Sequence, residues 1–92
     1  MESIISDNMD VCFVCGGRAS EKHHCIHSIN RANADKYGLF VGLCPECHRG
    51  AKGIHGKDGH ALDIALKQIA QRNFEEHYGH DMYMEIFGKN YL

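Results

Sequence analysis

Two Cys-x-x-Cys pairs bound what this chain can fold into. Cys12 and Cys15 flank Phe13-Val14 and precede Gly16-Gly17, and Cys44 and Cys47 flank Pro45-Glu46. Each pair closes a tight turn that presents two sulfurs, and two such turns complete a tetrahedron about one ion. The glycines after Cys15 let the backbone reverse with its amides toward the sulfurs. The four cysteines are therefore read as ligands of a structural zinc. The 28 residues between the pairs (16–43) exceed the usual zinc-ribbon spacing. That excess is what a strand-loop-strand insertion requires.

A metal is also what a chain of this size calls for. Its 92 residues form one domain. Such a chain buries only roughly 60–65% of its unfolded surface, a deficit that disulfides or a metal usually make up. The five cysteines are an odd count, which argues against a pure disulfide framework. Residues 1–10 are polar and acidic, with no apolar run of signal-peptide length, and no stretch reaches the ~20 apolar residues of a membrane span. The expected setting is a reducing cytoplasm, where paired Cys-x-x-Cys motifs mean metal more often than disulfide. Cys25, left over, is expected to be a small buried strand residue.

The net charge of -2 gives no bulk case for nucleic-acid binding; its distribution says more, although an ordinary solvated surface accounts for the charges alone about as well. Residues 18–60 carry seven Lys/Arg against four Asp/Glu, whereas residues 1–17 carry three acids and no base, and residues 61–92 three bases and five acids. The basic stretch coincides with the Cys/His-rich one, and a local patch of that sign attracts phosphate even on an acidic chain. Arg31, Lys36, Arg49, Lys52 and Lys57 are the candidate DNA contacts.

The coarse pattern is α+β. Residues 1–10 read as a flexible tail from which Ile4 and Ile5 can dock, 12–58 as the zinc-bound core, and 60–92 as C-terminal helices. His23-His24-Cys25-Ile26 reads as a short strand, residues 28–35 as loop, and residues 37–43, apolar and bounded by glycine, as the antiparallel partner. Pro45 suits a first helical position, so a short helix is predicted from there to Gly50 or Gly53. Residues 52–59, rich in glycine, read as loop. Leu62, Ala65, Leu66, Ile69, Ala70, Phe74 and Tyr78 recur at helical spacing. Gly79 caps that helix, and Asp81 can cap a second, shorter one ended by Gly88. Phe74, Tyr78, Ile86 and Phe87 are expected to pack the core rather than stack on bases.

The histidines carry the chemistry. Neutral imidazole is both a metal ligand and a general base near pH 7. His23 and His24 are adjacent on a strand, where side chains alternate between faces. His48 follows the last cysteine, and His55 lies in the glycine-rich segment. A ribbon packed on a short helix can bring His23 and His48 to one divalent ion and leave His24 free. His27, His60, His77 and His80 read as surface or helix-cap residues.

Glu-Lys-His-His-Cys-Ile (21–26) followed by Leu-Cys-Pro-Glu-Cys-His (43–48) resembles the HNH endonuclease family, with its ββα-metal or His-Me finger core, in the form stapled by four cysteines. Gly-Ile-His-Gly (53–56) and Phe-Glu-Glu-His-Tyr-Gly (74–79) are similar to small phage-encoded HNH proteins, including recombination-enhancement nucleases. The resemblance covers about residues 12–55 strongly and the helical tail weakly. It implies a small zinc-stapled ββα-metal finger with a C-terminal helical segment, and a phage or prophage nuclease hydrolysing DNA phosphodiesters. It implies His24 as general base, His23 and His48 as ligands of a catalytic magnesium or other divalent ion, and His55 as third ligand or phosphate contact. DNA is the implied partner, with a helper protein or a second copy as further candidates and no membrane. One position departs from the pattern. Many family members begin the second strand with an asparagine that orients the base histidine, and Leu39 stands there. Asn30, Asn33 or a loop carbonyl are the candidates to replace it. The departure keeps a rival open: a non-catalytic zinc-finger module that binds DNA or a protein.

Overall fold

The computed structural model describes residues 2–92. A two-stranded antiparallel ribbon lies at its centre, formed by β1 (Glu21–His24) and β2 (Phe40–Leu43) with His23 opposite Val41 and His24 opposite Phe40. The fold is α+β, as the sequence pattern predicts. Five helices follow the chain order: a 3-10 turn (Ser28–Asn30), α1 (Arg31–Lys36), α2 (Pro45–Arg49), α3 (His60–Tyr78) and α4 (His80–Phe87). Among the described residues no helix is long and apolar enough to cross a membrane.

Strand β1 lies two residues earlier than the residue pattern suggests, and β2 is shorter and starts later. β1 ends at His24, and the expected strand residues Cys25 and Ile26 sit just beyond it, both buried. β2 begins at Phe40 because Leu39 is already turned into the core by α1, the amide of Leu39 donating to the Ala34 carbonyl. The connection expected as loop holds a 3-10 turn and a helix of six residues.

The first knuckle is laid across the ribbon. The Phe13 amide donates to the Gly42 carbonyl and the Ser20 amide to the Leu43 carbonyl. Gly42 faces the Met9 carbonyl so closely that a Cβ there would lie 2.3 Å from its oxygen, which leaves glycine as the residue for that strand position. The segment read as a flexible tail makes contacts over its described part: the Ile4 amide donates to the Gly38 carbonyl, and Ile4 and Ile5 pack against the core. Met1 lies outside the described residues.

Behind the ribbon, α3 supplies Leu66, Ala70 and Phe74 to a core shared with Cys25, Ile26, Leu39, Val41 and Leu43. Leu62 and Ile69 pack at its edge. Phe74 is fully buried, with the rings of Tyr37, Tyr78, Tyr83 and Phe87 at centroid distances of 4.7 to 5.8 Å. Burying a side chain of this size contributes about 1.5–3 kcal/mol, so this cluster docks α4 onto α3. Buried Gln71 has its amide satisfied from outside the helix as well as within it. It donates to Asn90 and Glu75 and accepts from the Tyr91 amide, which folds the C-terminal residues back onto α3.

Candidate metal centres and histidine cleft

The four cysteines come together as their spacing requires. Cys12, Cys15, Cys44 and Cys47 lie close enough for their sulfurs to hold one metal ion. Zn–S bonds of about 2.3 Å at tetrahedral angles put neighbouring sulfurs about 3.8 Å apart, and Cys15 Sγ lies 3.7 Å from Cys44 Sγ. Cys44 is also the N-cap of α2, its sulfur accepting from the Cys47 amide, with Pro45 in the first turn. Burial pushes the Cys12 thiol up, yet the amides of Cys15, Cys44 and Val14 outweigh it and bring that thiol down to about 6. Cys12 is thus the thiol poised to lose its proton near neutral pH, whereas burial and the neighbouring cysteine sulfurs hold Cys47 well above the ordinary thiol range, so an ion bound by all four must displace protons. Cys25 stands apart. It is fully buried, burial pushes its thiol up to about 12, and it packs as a small apolar residue.

A second group forms on the other side of the ribbon. His23, His48 and His55 each offer a ring nitrogen within 4.8 Å of the others. Each arrives by a different route. His23 projects from β1 and is buried. His48 stands in the last turn of α2, and His55 is carried by the glycine-rich segment. That segment is a coil rather than an open loop. The amides of Gly53, Gly56 and Gly59 donate to the carbonyls of Gly50, Gly53 and Gly56, and the Ile54 and His55 amides donate to Cys47 and His48. Its glycines are there for close approach: a Cβ on Gly56 would sit 1.9 Å from the Gly50 oxygen. The coil thereby presses the His55 ring against His48, with centroids 4.8 Å apart.

The donor chemistry fits an ion. Nε2 of His23 is buried with no hydrogen-bond partner, an arrangement that costs stability unless something binds there. Burial, with the nearby His48, His55 and His27, pushes the His23 imidazole down to about 3, so it stands neutral with a lone pair available. Burial pushes His55 in the same direction. His48 Nδ1 donates to Glu21 Oε1 at 2.6 Å, which leaves its Nε2 free. Carboxylate, imidazole and ion in line is the usual way a ligating histidine is oriented. Glu21 is itself held by the Arg49 guanidinium, which with His48 keeps its carboxyl below the ordinary range.

An open cleft of about 430 Å³ runs over this group, lined by Lys22, His23, His24, His27, Ser28, Arg31, His48 and His55. His24 thus shares the cleft with the three clustered imidazoles. Strand alternation separates their roles. Glu21 and His23 face His48, whereas Lys22 and His24 face Asp35 of α1, with Lys22 Nζ at 2.7 Å and His24 Nε2 at 2.9 Å from the same Oδ1.

The candidate DNA contacts divide. Arg31 lies on the cleft wall. The Arg49 fork is already engaged by Glu21. Lys36 sits over the Tyr37 ring at 5.4 Å, and Lys52 and Lys57 are exposed on the glycine coil. Lys22 is a cleft cation that the charge pattern did not single out. His27, expected at the surface or as a helix cap, stands at the N-cap of the 3-10 turn and is half-buried. It lines the cleft, and its Nε2 donates to Asp63 of α3 at 3.1 Å. The signal for it was weak, because its partner lies 36 residues away in sequence. His77 and His80 are exposed, His77 in the last turn of α3 and bonded to the Asn73 carbonyl, His80 at the start of α4 and bonded to Glu75, while Gly79 is the cap residue between the two helices.

No family model, no curated protein and no solved structure matches the chain.

Proposed function

We propose that this chain is a metal-dependent DNA endonuclease of the HNH type, hydrolysing phosphodiester bonds around a structural zinc. The phage or prophage setting comes from the sequence resemblance alone. The observation that carries the reading is one open cleft in which three imidazoles each offer a ring nitrogen within 4.8 Å of the others, beside two further histidines, His24 and His27, and two cations, Lys22 and Arg31. His23, His48 and His55 are assigned to a divalent ion, which when bound stabilises negative charge on the phosphoryl and leaving oxygens. A three-imidazole set suits zinc, nickel, cobalt or iron better than oxygen-seeking magnesium or manganese.

His24 is assigned as general base. Its imidazole takes a proton from water as the water oxygen bonds to phosphorus. The bond from phosphorus to the leaving oxygen breaks, and that oxygen takes a proton from solvent. General-base help of this kind is worth roughly 10²–10⁴-fold. Lys22 and Arg31 line the route by which a phosphodiester reaches the cleft.

Nicking of supercoiled plasmid across magnesium, manganese, cobalt, nickel and zinc tests the reading. Cutting by the wild type and its loss in His24→Ala, with an unchanged melting temperature, are the expected results. One observation favours the rival, a non-catalytic zinc module that binds DNA or a protein: Leu39, at the family's asparagine position, is fully buried in the core. A wild type that binds DNA and cuts with none of the metals would establish that rival.

A further inference from the structure

The geometry points to Asp35 as the positioning residue of the site: its carboxylate holds His24 in the tautomer protonated at Nε2 and leaves Nδ1 as the nitrogen that receives the proton from water. The inference rests on the nuclease reading above and names what replaces the missing asparagine.

His24 Nε2 lies 2.9 Å from Asp35 Oδ1. Asp35 is ionised, since the Lys22 ammonium and then His24 hold its carboxyl down to about 2. An ionised carboxylate only accepts, so the imidazole nitrogen facing it must carry the proton. A neutral imidazole has one N–H, which leaves the lone pair at Nδ1. The ring is fixed from the other side as well. It stands edge-on to Phe40, its cross-strand partner, with centroids 5.9 Å apart. Asp35 is in turn anchored by Lys22, whose ammonium spans the same Oδ1 at 2.7 Å and the Phe40 ring at 3.9 Å.

The residues that could have taken this place from sequence are otherwise occupied or not seen to reach it. The Asn30 side chain donates to the Phe87 carbonyl, tying the connection to α4. The Asn33 backbone carbonyl is taken by the Tyr37 amide at the end of α1, and among the described residues no hydrogen bond joins the Asn33 side chain to His24, whose Nε2 faces Asp35. Asp35 reaches His24 because the six-residue helix α1 returns the chain over the even-numbered side of β1.

Two measurements on the zinc-loaded protein test this. Long-range ¹H–¹⁵N correlation spectra report the His24 tautomer without reference to activity. The wild type is expected to show protonated Nε2 and bare Nδ1, and Asp35→Ala to show a mixture. In plasmid cutting with the metal that supports the fastest cutting, Asp35→Ala is expected to lower kcat roughly tenfold or more, a part of what general-base help is worth, with KM nearly unchanged. Asp35→Asn keeps an acceptor oxygen at the same place and should recover part of that loss. A wild-type His24 protonated at Nδ1, or an Asp35→Ala spectrum identical to wild type, overturns the inference whether or not the protein cuts DNA. An Asp35→Ala enzyme with wild-type kcat overturns it too. A held tautomer in a protein that cuts with no metal would instead remove the nuclease reading and leave the Asp35–His24 pairing standing.

Discussion

Glu21 decides whether the three-imidazole cluster is a metal site or a coincidence of packing. Its carboxylate takes the Nδ1 proton of His48 and is gripped by the Arg49 fork. Glu21→Ala removes three things at once. The His48 ring is freed to populate both tautomers, one of which presents a protonated Nε2 that cannot bind an ion. The ring also loses the bond that aims it. Finally, a negative charge one imidazole away from the ion disappears while Arg49 is left unpaired beside it. A carboxylate that holds a ligating imidazole is worth roughly 10- to 100-fold in metal affinity, and the loss of both orientation and charge puts Glu21→Ala toward the upper end. Glu21→Gln keeps an acceptor for Nδ1 and loses only the charge, so it should fall near the lower end. Cobalt titrated into protein already loaded with zinc at the cysteines, followed by its visible absorption, reads the second site alone. Zinc retained at the cysteines should be the same in all three proteins. Cobalt affinity within twofold of wild type in Glu21→Ala would refute the assignment of His48 as a ligand.

The remaining expectations concern the two supports of the cleft and its acid response. Removing the cysteine-bound ion with a strong chelator, or replacing Cys44 by Ser, should unfold the domain, because apparent zinc binding of about 10 kcal/mol or more outweighs what a core of this size contributes; a melting transition unmoved by chelation would contradict it. Gly56→Ala must displace the coil, since its Cβ would lie 1.9 Å from the Gly50 oxygen; the second ion should bind more weakly while the cysteine site stays loaded, as the same cobalt titration would show. His23, neutral when folded and held down to about 3 by burial, titrates near 6.5 when unfolded. The unfolded chain therefore binds the proton first. The His23 contribution is complete above about pH 6.5 and falls on acidification by up to about 1.4 kcal/mol per pH unit. Urea midpoints between pH 7.5 and 5.5 should drop in the wild type and stay flatter in His23→Leu.

Much of the scaffold was legible because local chemistry dictates it. Two Cys-x-x-Cys turns fix their own geometry, Pro45 after Cys44 starts α2, and the apolar period from Leu62 to Phe74 announces α3. What stayed hidden depends on partners remote in sequence. His27 looks like any polar residue until Asp63 arrives from α3. Arg49 looks like a phosphate contact until Glu21 of β1 closes its fork. Residues 31–36 carry no apolar period long enough to predict a helix, so Asp35 could not be placed over His24 from the residues alone.

The ribbon's register is where these remote choices meet. Along β1 the odd residues Glu21 and His23 address the His48 side, and the even residues Lys22 and His24 address Asp35. A slip of one residue would exchange the two sets, sending His24 toward the clustered imidazoles and His23 toward a carboxylate. A strand pair of four residues each has little intrinsic resistance to such a slip. Resistance comes from the cysteine knuckles at its end. The first is bonded to Gly42 and Leu43 through the amides of Phe13 and Ser20, and the second begins at Cys44, immediately after β2. Gly42 adds a steric stop, because any side-chain-bearing residue brought to its position would strike the Met9 carbonyl. On this account the cysteine cluster acts on the cleft without touching it. By clamping β2 it fixes which histidine joins the imidazole cluster and which is turned to Asp35.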